Sequence, residues 1–246
     1  MLGTSHLLVV DPGSVDDAET DRLVSLLEAL KAEGAALEAV VLTHHHADHV
    51  GGLARLVQRL SLPVWAHERT ADRLELQADR RLRDGEVLPL GPMRWRVLHT
   101  PGHARGHVCL YDEASRAAIV GDMVAGFGTI VIDPPEGDMT DYLAQLTRLQ
   151  QLPVTTLYPS HGPAIPDGPG KLGEYLKHRA WREEKVVAAL GTSALSLDEL
   201  VPRAYDDVAA FVLPVAERST LAILGKLERE GRVRREGTKY RLSAWA

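Results

Sequence analysis

The chain lacks three features that would place it in a membrane or outside the cell. Cys109 is its only cysteine, so an intramolecular disulfide is excluded and a reducing compartment is favoured. No apolar run approaches the roughly 20 residues that a membrane-spanning helix requires. The N-terminus has neither the basic region nor the cleavage signal of a secreted protein. These absences predict a cytoplasmic protein that has no membrane partner.

The composition is that of a soluble globular protein with an uneven distribution of charge. The 246 residues are 45% hydrophobic and 25% charged, which is enough for a large core in one or two domains. The net charge is −6, yet residues 171–246 carry 14 basic and 11 acidic side chains. The acidic excess therefore lies in residues 1–170, which makes that part a poor general surface for nucleic acid.

The most informative segment is a cluster of histidine and aspartate at residues 43–49. It has the sequence Thr-His-His-His-Ala-Asp-His. The apolar residues 39–42 before it predict a buried strand, and the leucine spacing over residues 53–60 predicts a helix. The cluster therefore lies in the loop after a strand, where sheet proteins place ligands. Imidazole and carboxylate groups bind zinc, iron or manganese.

The spacing within this cluster predicts two neighbouring sets of ligands. His44 and His46 are two residues apart, so an extended backbone directs both side chains the same way. Asp48 and His49 come where the chain turns into the helix, and they would face a second metal. His45 points away from the first pair. Three later strand-like runs also end in Gly or Pro beside a histidine or aspartate, the candidate ligands there being His103, Asp122 and His161.

These residues, in this order, resemble the signature of the metallo-β-lactamase superfamily. The turn Asp11-Pro12-Gly13 after the apolar residues 7–10 is similar to the family's first motif, and the resemblance covers about residues 5–165. It implies an α+β fold, a four-layer αββα sandwich with a dinuclear site on one edge. One metal would take His44, His46 and His103. The other would take Asp48, His49 and His161, with Asp122 bridging the two.

The resemblance implies a hydrolase that uses a metal-bridging hydroxide as its nucleophile. Two metals about 3.5–4 Å apart share and acidify a water molecule, so no serine or cysteine nucleophile is required, and Cys109 is expected in the core. Asp48 and Asp122 are the expected catalytic residues, and Asp11 would orient the metal loop. Two zinc ions are the expected cofactors, with iron or manganese as alternatives. A non-hydrolytic iron persulfide dioxygenase is an alternative within the superfamily.

The C-terminal part has the pattern of a small helical domain with a basic hairpin. We expect a helix over residues 172–190, a second capped by Ser196, a third opening at residue 217, and a hairpin over residues 232–242. Helix, helix and hairpin resemble a winged helix. The predicted domains are therefore a catalytic domain at 1–170 and a linker helix with a winged-helix-like domain at 171–246.

Several substrates remain open at this point. The winged helix and the run His178-Arg179-x-x-Arg182-Glu183 resemble a superfamily subgroup that includes an endoribonuclease acting on single-stranded RNA. A small-molecule thioester, ester or lactone, as in glyoxalase II, is an equal alternative, and weak β-lactamase activity is a third. A nucleic-acid-binding module with a vestigial metal site is disfavoured because the ligand set is intact. An exposed edge of the first sheet would allow a homo-oligomer.

Overall fold

The computed structural model describes residues 1–243, and the chain divides into two compact units. The first unit consists of Met1–Thr100, Ala104–Phe127 and Pro153–Gly168. The second consists of Pro101–His103, Gly128–Leu152 and the chain from Pro169 onward. Both units therefore use segments that are distant in sequence.

The first sheet belongs to the first unit and is mostly parallel. Its order is β1-β2-β3-β4-β5, with β1 antiparallel to β2 and the other pairs parallel. The strands are β1 (Leu2–Gly3), β2 (His6–Val10), β3 (Ala36–Val41), β4 (Val64–His67) and β5 (Arg80–Leu82). Consecutive residues Ala39, Val40 and Val41 are all buried, as expected for a strand that is covered on both faces.

Helices cover one face of this sheet. They are α1 (Asp17–Ala32), α2 (Ala47–Val50), α3 (Leu53–Leu60) and α4 (Glu68–Ala71). Asp16 caps α1 by accepting the backbone N–H of Ala18 at 2.7 Å, which satisfies one of the free donors at a helix start. Val24 of α1 and Leu56 of α3 are fully buried against Val40 in one apolar cluster. The leucine spacing that predicted a helix over residues 53–60 is therefore confirmed.

The second sheet covers the opposite face of the first. Its order is β10-β9-β8-β7-β6, with β10 parallel to β9 and the other pairs antiparallel. The strands are β6 (Val87–Leu90), β7 (Met93–His99), β8 (Val108–Asp112), β9 (Ala117–Gly121) and β10 (Thr156–Pro159). Side chains of both sheets, such as Leu8 and Leu110, form one buried cluster. Helix, sheet and sheet are thus stacked within the first unit, and Cys109 lies in the core as predicted.

The second unit contains the C-terminal helices and hairpin. Its elements are α5 (Met139–Gln151), α6 (Gly168–Leu190), α7 (Leu197–Ala204), α8 (Leu213–Arg229), β11 (Val233–Glu236) and β12 (Lys239–Leu242). Ser196 and Glu199 form a reciprocal capping box at the start of α7, which confirms the predicted cap. The hairpin turns at Gly237, whose φ of +64° suits glycine. Helix, helix and hairpin occur in the predicted order.

Two helix starts differ from the sequence prediction. Helix α6 begins at Gly168 rather than residue 172, and α8 begins at Leu213 rather than residue 217. Each has a proline in its first turn, Pro169 and Pro214. The sequence prediction placed these residues outside the helices. Proline is compatible with the first turn because its missing N–H would have no acceptor there.

In the part of the chain that the structure describes, no helix combines the length and the apolarity needed to cross a bilayer.

Candidate metal centre

The predicted ligands of the first unit follow the carboxyl ends of neighbouring strands. His44 comes shortly after β3, Asp122 directly after β9, and His161 shortly after β10. Because β9 and β10 run parallel, their ends meet at the same edge of the sheet. Asp48 and His49 lie on the short helix α2 that follows β3. The fold therefore brings together side chains that are more than 100 residues apart.

One group joins two carboxylates and two imidazoles. His161 Nε2 lies 3.3 Å from Asp48 Oδ2 and 3.5 Å from Asp122 Oδ1. His49 Nε2 lies 3.5 Å from the same Asp122 oxygen and 3.8 Å from Asp48 Oδ2. The ligand atoms of Asp48, His49 and His161 all lie within 4.8 Å of one another. His49 and Asp122 are buried, while the side chains of Asp48 and His161 are 61% and 48% exposed, so the group faces solvent on one side.

A second pair of imidazoles adjoins this group. His44 Nε2 lies 3.0 Å from His46 Nδ1, and the two rings meet edge to face at a centroid distance of 4.6 Å. The buried His44 ring is also 4.0 Å from the His49 ring. The His44–His46 pair and the Asp48–His49–His161 group are thus neighbours.

The spacing of these donor atoms fits metal ligation. Donors that share one tetrahedral ion at about 2.0–2.2 Å are separated by about 3.3–3.6 Å. The contacts of His161 with Asp48 and Asp122, and of His49 with Asp122, span 3.3 to 3.5 Å. Neutral imidazole and carboxylate donors are also the chemistry that zinc and iron accept. The residues present therefore fit the divalent ions that the sequence predicts.

Asp11 orients the metal loop, as the sequence predicted. Its carboxylate accepts the backbone N–H of Thr43 at 2.7 Å and the Thr43 hydroxyl at 2.6 Å. The same carboxylate contacts His49 Nδ1 at 2.9 Å. A carboxylate behind a ligating histidine sets which ring nitrogen faces the metal. Gly13 is required beside it, because a Cβ atom there would lie 1.8 Å from the Asp48 carbonyl oxygen.

The same carboxylates govern the protonation of His49. Burial of the ring lowers its pKa, but hydrogen bonds and charge from Asp11 and Asp122 outweigh this and raise the pKa of His49 to about 10. Without an ion the carboxylates therefore favour a protonated imidazole. Binding of a metal must displace this proton, since only the neutral ring can ligate.

His107 supports the Asp122 loop from below. Its ring is fully buried, its Nε2 accepts the backbone N–H of Asp122 at 3.0 Å, and its Nδ1 lies 2.8 Å from the Thr100 hydroxyl. The sequence left open whether His107 supports the site or contacts substrate. The contacts assign it to support.

His103 belongs to the second unit. Its Nδ1 donates to the Val131 carbonyl at 2.8 Å. A carbonyl only accepts hydrogen bonds, so this contact places the proton on Nδ1 and leaves Nε2 as the basic nitrogen of a neutral ring. This tautomer is the one that a ligand through Nε2 needs. That His103 shares an ion with His44 and His46 stays a prediction.

A cavity of about 540 Å³ opens beside the ligand cluster in the first unit. One side is formed by Asp48, His49 and His161, with the carboxylates of Asp11 and Glu19 nearby. The other side is apolar and includes Val10, Ile119 and Tyr158. The cavity therefore suits a substrate that has an apolar part beside a polar reacting group.

The sequence run at 178–183 has a structural role that its pattern did not reveal. Arg182 binds both carboxylate oxygens of Asp207, at 2.7 and 2.8 Å. Glu183 binds Lys226 at 2.7 Å and also contacts Arg232. These contacts join α6 to the other elements of the second unit. No local signal could have identified the partners, because they lie 25 to 49 residues away.

Two stacked sheets, with histidines and aspartates gathered at their strand ends, define a metal-dependent hydrolase fold. The chain belongs to the metallo-beta-lactamase superfamily, whose model matches residues 2–161. A model for the beta-lactamase associated winged helix domain matches residues 196–245. The predicted family, α+β fold class and hydrolase activity are therefore confirmed, and so is the C-terminal winged helix.

Known proteins agree with this assignment over most of the chain. The lactamase-like protein adaB of Aspergillus niger is 30% identical over an alignment that covers 96% of this chain and 76% of the relative. The atrochrysone carboxyl ACP thioesterase of Claviceps purpurea is 29% identical, covering 84% of this chain and 66% of the relative. The crystal structure of the metallo-beta-lactamase family protein TTHA1429 from Thermus thermophilus superposes with a TM-score of 0.80 at 26% identity, covering 98% and 91% of the two chains. TTHA1623, solved in a di-iron-bound form, has a TM-score of 0.53 at 32% identity, covering 69% and 85%.

Proposed function

We propose that this chain hydrolyses acyl thioesters at a two-metal site. The observation that carries the proposal is the convergence of His161, His49 and Asp48 on Asp122, with the contacts of the two histidines to Asp122 both at 3.5 Å. A shared carboxylate between two groups of imidazoles is the arrangement that a pair of divalent ions needs.

The ligands divide into two groups around Asp122. His44, His46 and His103 would hold one ion, and Asp48, His49 and His161 the other, with Asp122 shared. Divalent ions bound there would lower the pKa of water toward roughly 7 and polarise the substrate carbonyl. Zinc suits the imidazole-rich donor set, and iron is supported as an alternative by the di-iron form of TTHA1623. Manganese remains the third candidate.

The surrounding residues would bind the substrate and move protons. The exposed Asp48 carboxylate lies on the open side of the cluster, where it can pass a proton to the departing sulfur. Tyr158 and Ile119 would hold the acyl chain along the apolar side of the cavity. Asp11 and Thr43 would keep the His49 and His44 rings in their ligating orientation.

Thioester hydrolysis is favoured over RNA cleavage by two observations. A relative that covers 84% of this chain is named an acyl-carrier-protein thioesterase. The cations of the basic hairpin are partly neutralised by carboxylates: Arg234 lies 3.0 Å from Glu236, Arg241 lies 3.8 Å from the same Glu236, and Lys239 lies 3.8 Å from Glu199. Paired cations attract a phosphate backbone less strongly. Cleavage of single-stranded RNA therefore stays a prediction of the sequence.

A parallel substrate panel tests this proposal. Purified protein reconstituted with Zn²⁺, Mn²⁺ or Fe²⁺ is assayed on an acyl-CoA thioester, a glutathione thioester, a lactone, a chromogenic cephalosporin and labelled single-stranded RNA. We expect thioester hydrolysis to exceed the other activities by at least about 100-fold in kcat/KM, about 3 kcal/mol, and to stop on chelation. RNA cleavage without thioester hydrolysis would overturn the proposal in favour of an endoribonuclease.

A further inference from the structure

Arg179 is a buried cation with no carboxylate partner among the residues that the structure describes. Its side chain is in a residue only 4% exposed, and its Nε is buried without a hydrogen-bond partner. Burying an unpaired charge is costly. On the same helix, Arg182 is similarly buried but is neutralised by Asp207. Arg179 therefore differs from its neighbour in having partners that do not cancel its charge.

One partner of Arg179 lies directly beside the carbonyl that holds His103. The Nη2 atom of Arg179 donates to the Ile130 carbonyl. The next carbonyl along the chain, that of Val131, accepts the hydrogen bond from His103 Nδ1 at 2.8 Å. A charged donor makes a stronger hydrogen bond than a neutral one, and more so when water is excluded. Arg179 thus fixes the backbone from which the His103 ring is oriented.

The other partner lies against the turn that carries His103. The Arg179 guanidinium lies over the Tyr142 ring at 5.1 Å from its centroid. The backbone of Tyr142 touches Gly102, where a Cβ atom would come within 2.3 Å of the Tyr142 Cα. The Gly102 carbonyl in turn accepts the backbone N–H of Asp138 at 2.7 Å. Arg179 therefore contacts both segments that enclose His103.

We propose that Arg179 is a positioning residue for His103, through which α6 controls the affinity of one metal ion. This inference rests on the proposed function, in which His103 is a metal ligand. The guanidinium holds the carbonyl-bearing segment 130–131 on one side and Tyr142 on the other. The cost of burying its charge is offset by this charge-assisted hydrogen bond and by the aromatic contact.

Zinc binding to the metal-free protein tests the proposal without relying on turnover. Competition with a chromophoric chelator measures the affinity of each Zn²⁺ equivalent for wild type, Arg179→Met and Arg179→Lys. We expect Arg179→Met to weaken one equivalent by about 10- to 100-fold, the range found when the support of a ligand is removed, and to leave the other within about threefold. Arg179→Lys should recover part of the affinity. Co²⁺ absorption should show altered ligand-field bands only for the weakened ion.

Arg182→Gln is the matched control. It removes a buried guanidinium three residues further along α6 whose contacts lead to Asp207, so it should lower the unfolding temperature without changing either Zn²⁺ affinity. Unfolding of each metal-free variant, followed by circular dichroism, shows whether the fold survives. In a His103→Ala background the Arg179→Met effect on affinity should vanish, because the two residues act on one ligand.

Three results would overturn the inference. These are unchanged Zn²⁺ affinities in Arg179→Met, an equal weakening in Arg182→Gln, or an effect that persists in His103→Ala. Failure of the proposed function gives a different pattern, since the wild-type protein would then take up fewer than two equivalents of Zn²⁺ or would not hydrolyse thioesters when loaded.

Discussion

His107 Nε2 accepts the backbone N–H of Asp122 at 3.0 Å, in a position from which solvent is excluded. The acceptor nitrogen is unprotonated, so the proton of the neutral ring resides on Nδ1 and points to the Thr100 hydroxyl at 2.8 Å. Gly121 makes this approach feasible, because a Cβ atom there would lie 2.4 Å from His107 Nε2. The residue proposed to bridge the two metals is thus oriented through its own backbone.

Substitutions at His107 should separate its two hydrogen bonds. A glutamine oxygen can reach the place of Nε2 and accept the Asp122 N–H, whereas asparagine reaches only the place of Nδ1. We therefore expect His107→Asn to lower kcat by about 10- to 100-fold and His107→Gln to lower it by less than about tenfold. Steady-state kinetics and metal content of both variants provide the measurement. Equal losses in the two variants would argue against the Asp122 contact as the cause.

Asp122→Ala should abolish hydrolysis. Loss of the shared carboxylate removes a ligand from both proposed metal groups, and we expect kcat to fall by at least about 10³-fold, about 4 kcal/mol. Circular dichroism should show an intact fold. Asp112→Ala is the control, because Asp112 is equally buried but caps the turn at Ser115 through contacts of 2.6 and 2.9 Å. Turnover of every substrate near the wild-type rate in Asp122→Ala would rule out the bridging role.

The basic hairpin should have little part in thioester hydrolysis. Replacing Arg234, Arg235 and Arg241 by glutamine removes exposed cations of β11 and β12, and we expect kcat/KM on an acyl thioester to change by less than about twofold, since surface pairs contribute little. Binding of single-stranded RNA, if present, should weaken, and its salt dependence should decrease by about 0.7 in log–log slope per lost phosphate contact. A large loss of thioester hydrolysis in this variant would show that the hairpin takes part in that reaction.

His67 should make the folded protein sensitive to mild acid. Its ring is 8% exposed and stacks on His99 at 4.0 Å, and burial, followed by the charge of His99, lowers the pKa of His67 to about 4. The unfolded chain has a pKa near 6.5 there, so between these values the unfolded state binds more protons. The free energy of unfolding should therefore fall as the pH falls from about 6.5 to 4, by about 1–3 kcal/mol.

Urea unfolding of wild type and His67→Asn at pH 7 and pH 4.5 measures this contribution. Asparagine can still accept the Arg69 backbone N–H that His67 accepts at the start of α4, so the cap is retained. The difference between the two proteins should be larger at pH 7 and should shrink at pH 4.5. A difference that is the same at both pH values would exclude His67 as the source of the acid sensitivity.

Much of the catalytic unit could be predicted because its signals are local. An apolar run followed by glycine or proline and then a ligand recurs at β3, β9 and β10, and each can be recognised within about ten residues. The capping box at Ser196 and Glu199 and the hairpin at Gly237 are equally local. The starts of α6 and α8 were placed too late, because proline was taken as a helix breaker where it opens a helix.

The sequence by itself determined the family, the order of the strands and ligands, and the residue types that can hold metal. Only the tertiary structure decided which side chains orient those ligands. Asp11 reaches His49 across 38 residues, His107 reaches Asp122 across 15, and Arg179 reaches Ile130 across 49. It also showed that hairpin cations are paired with carboxylates. Such contacts depend on strand register, turn geometry and helix packing, which neighbouring residues do not encode.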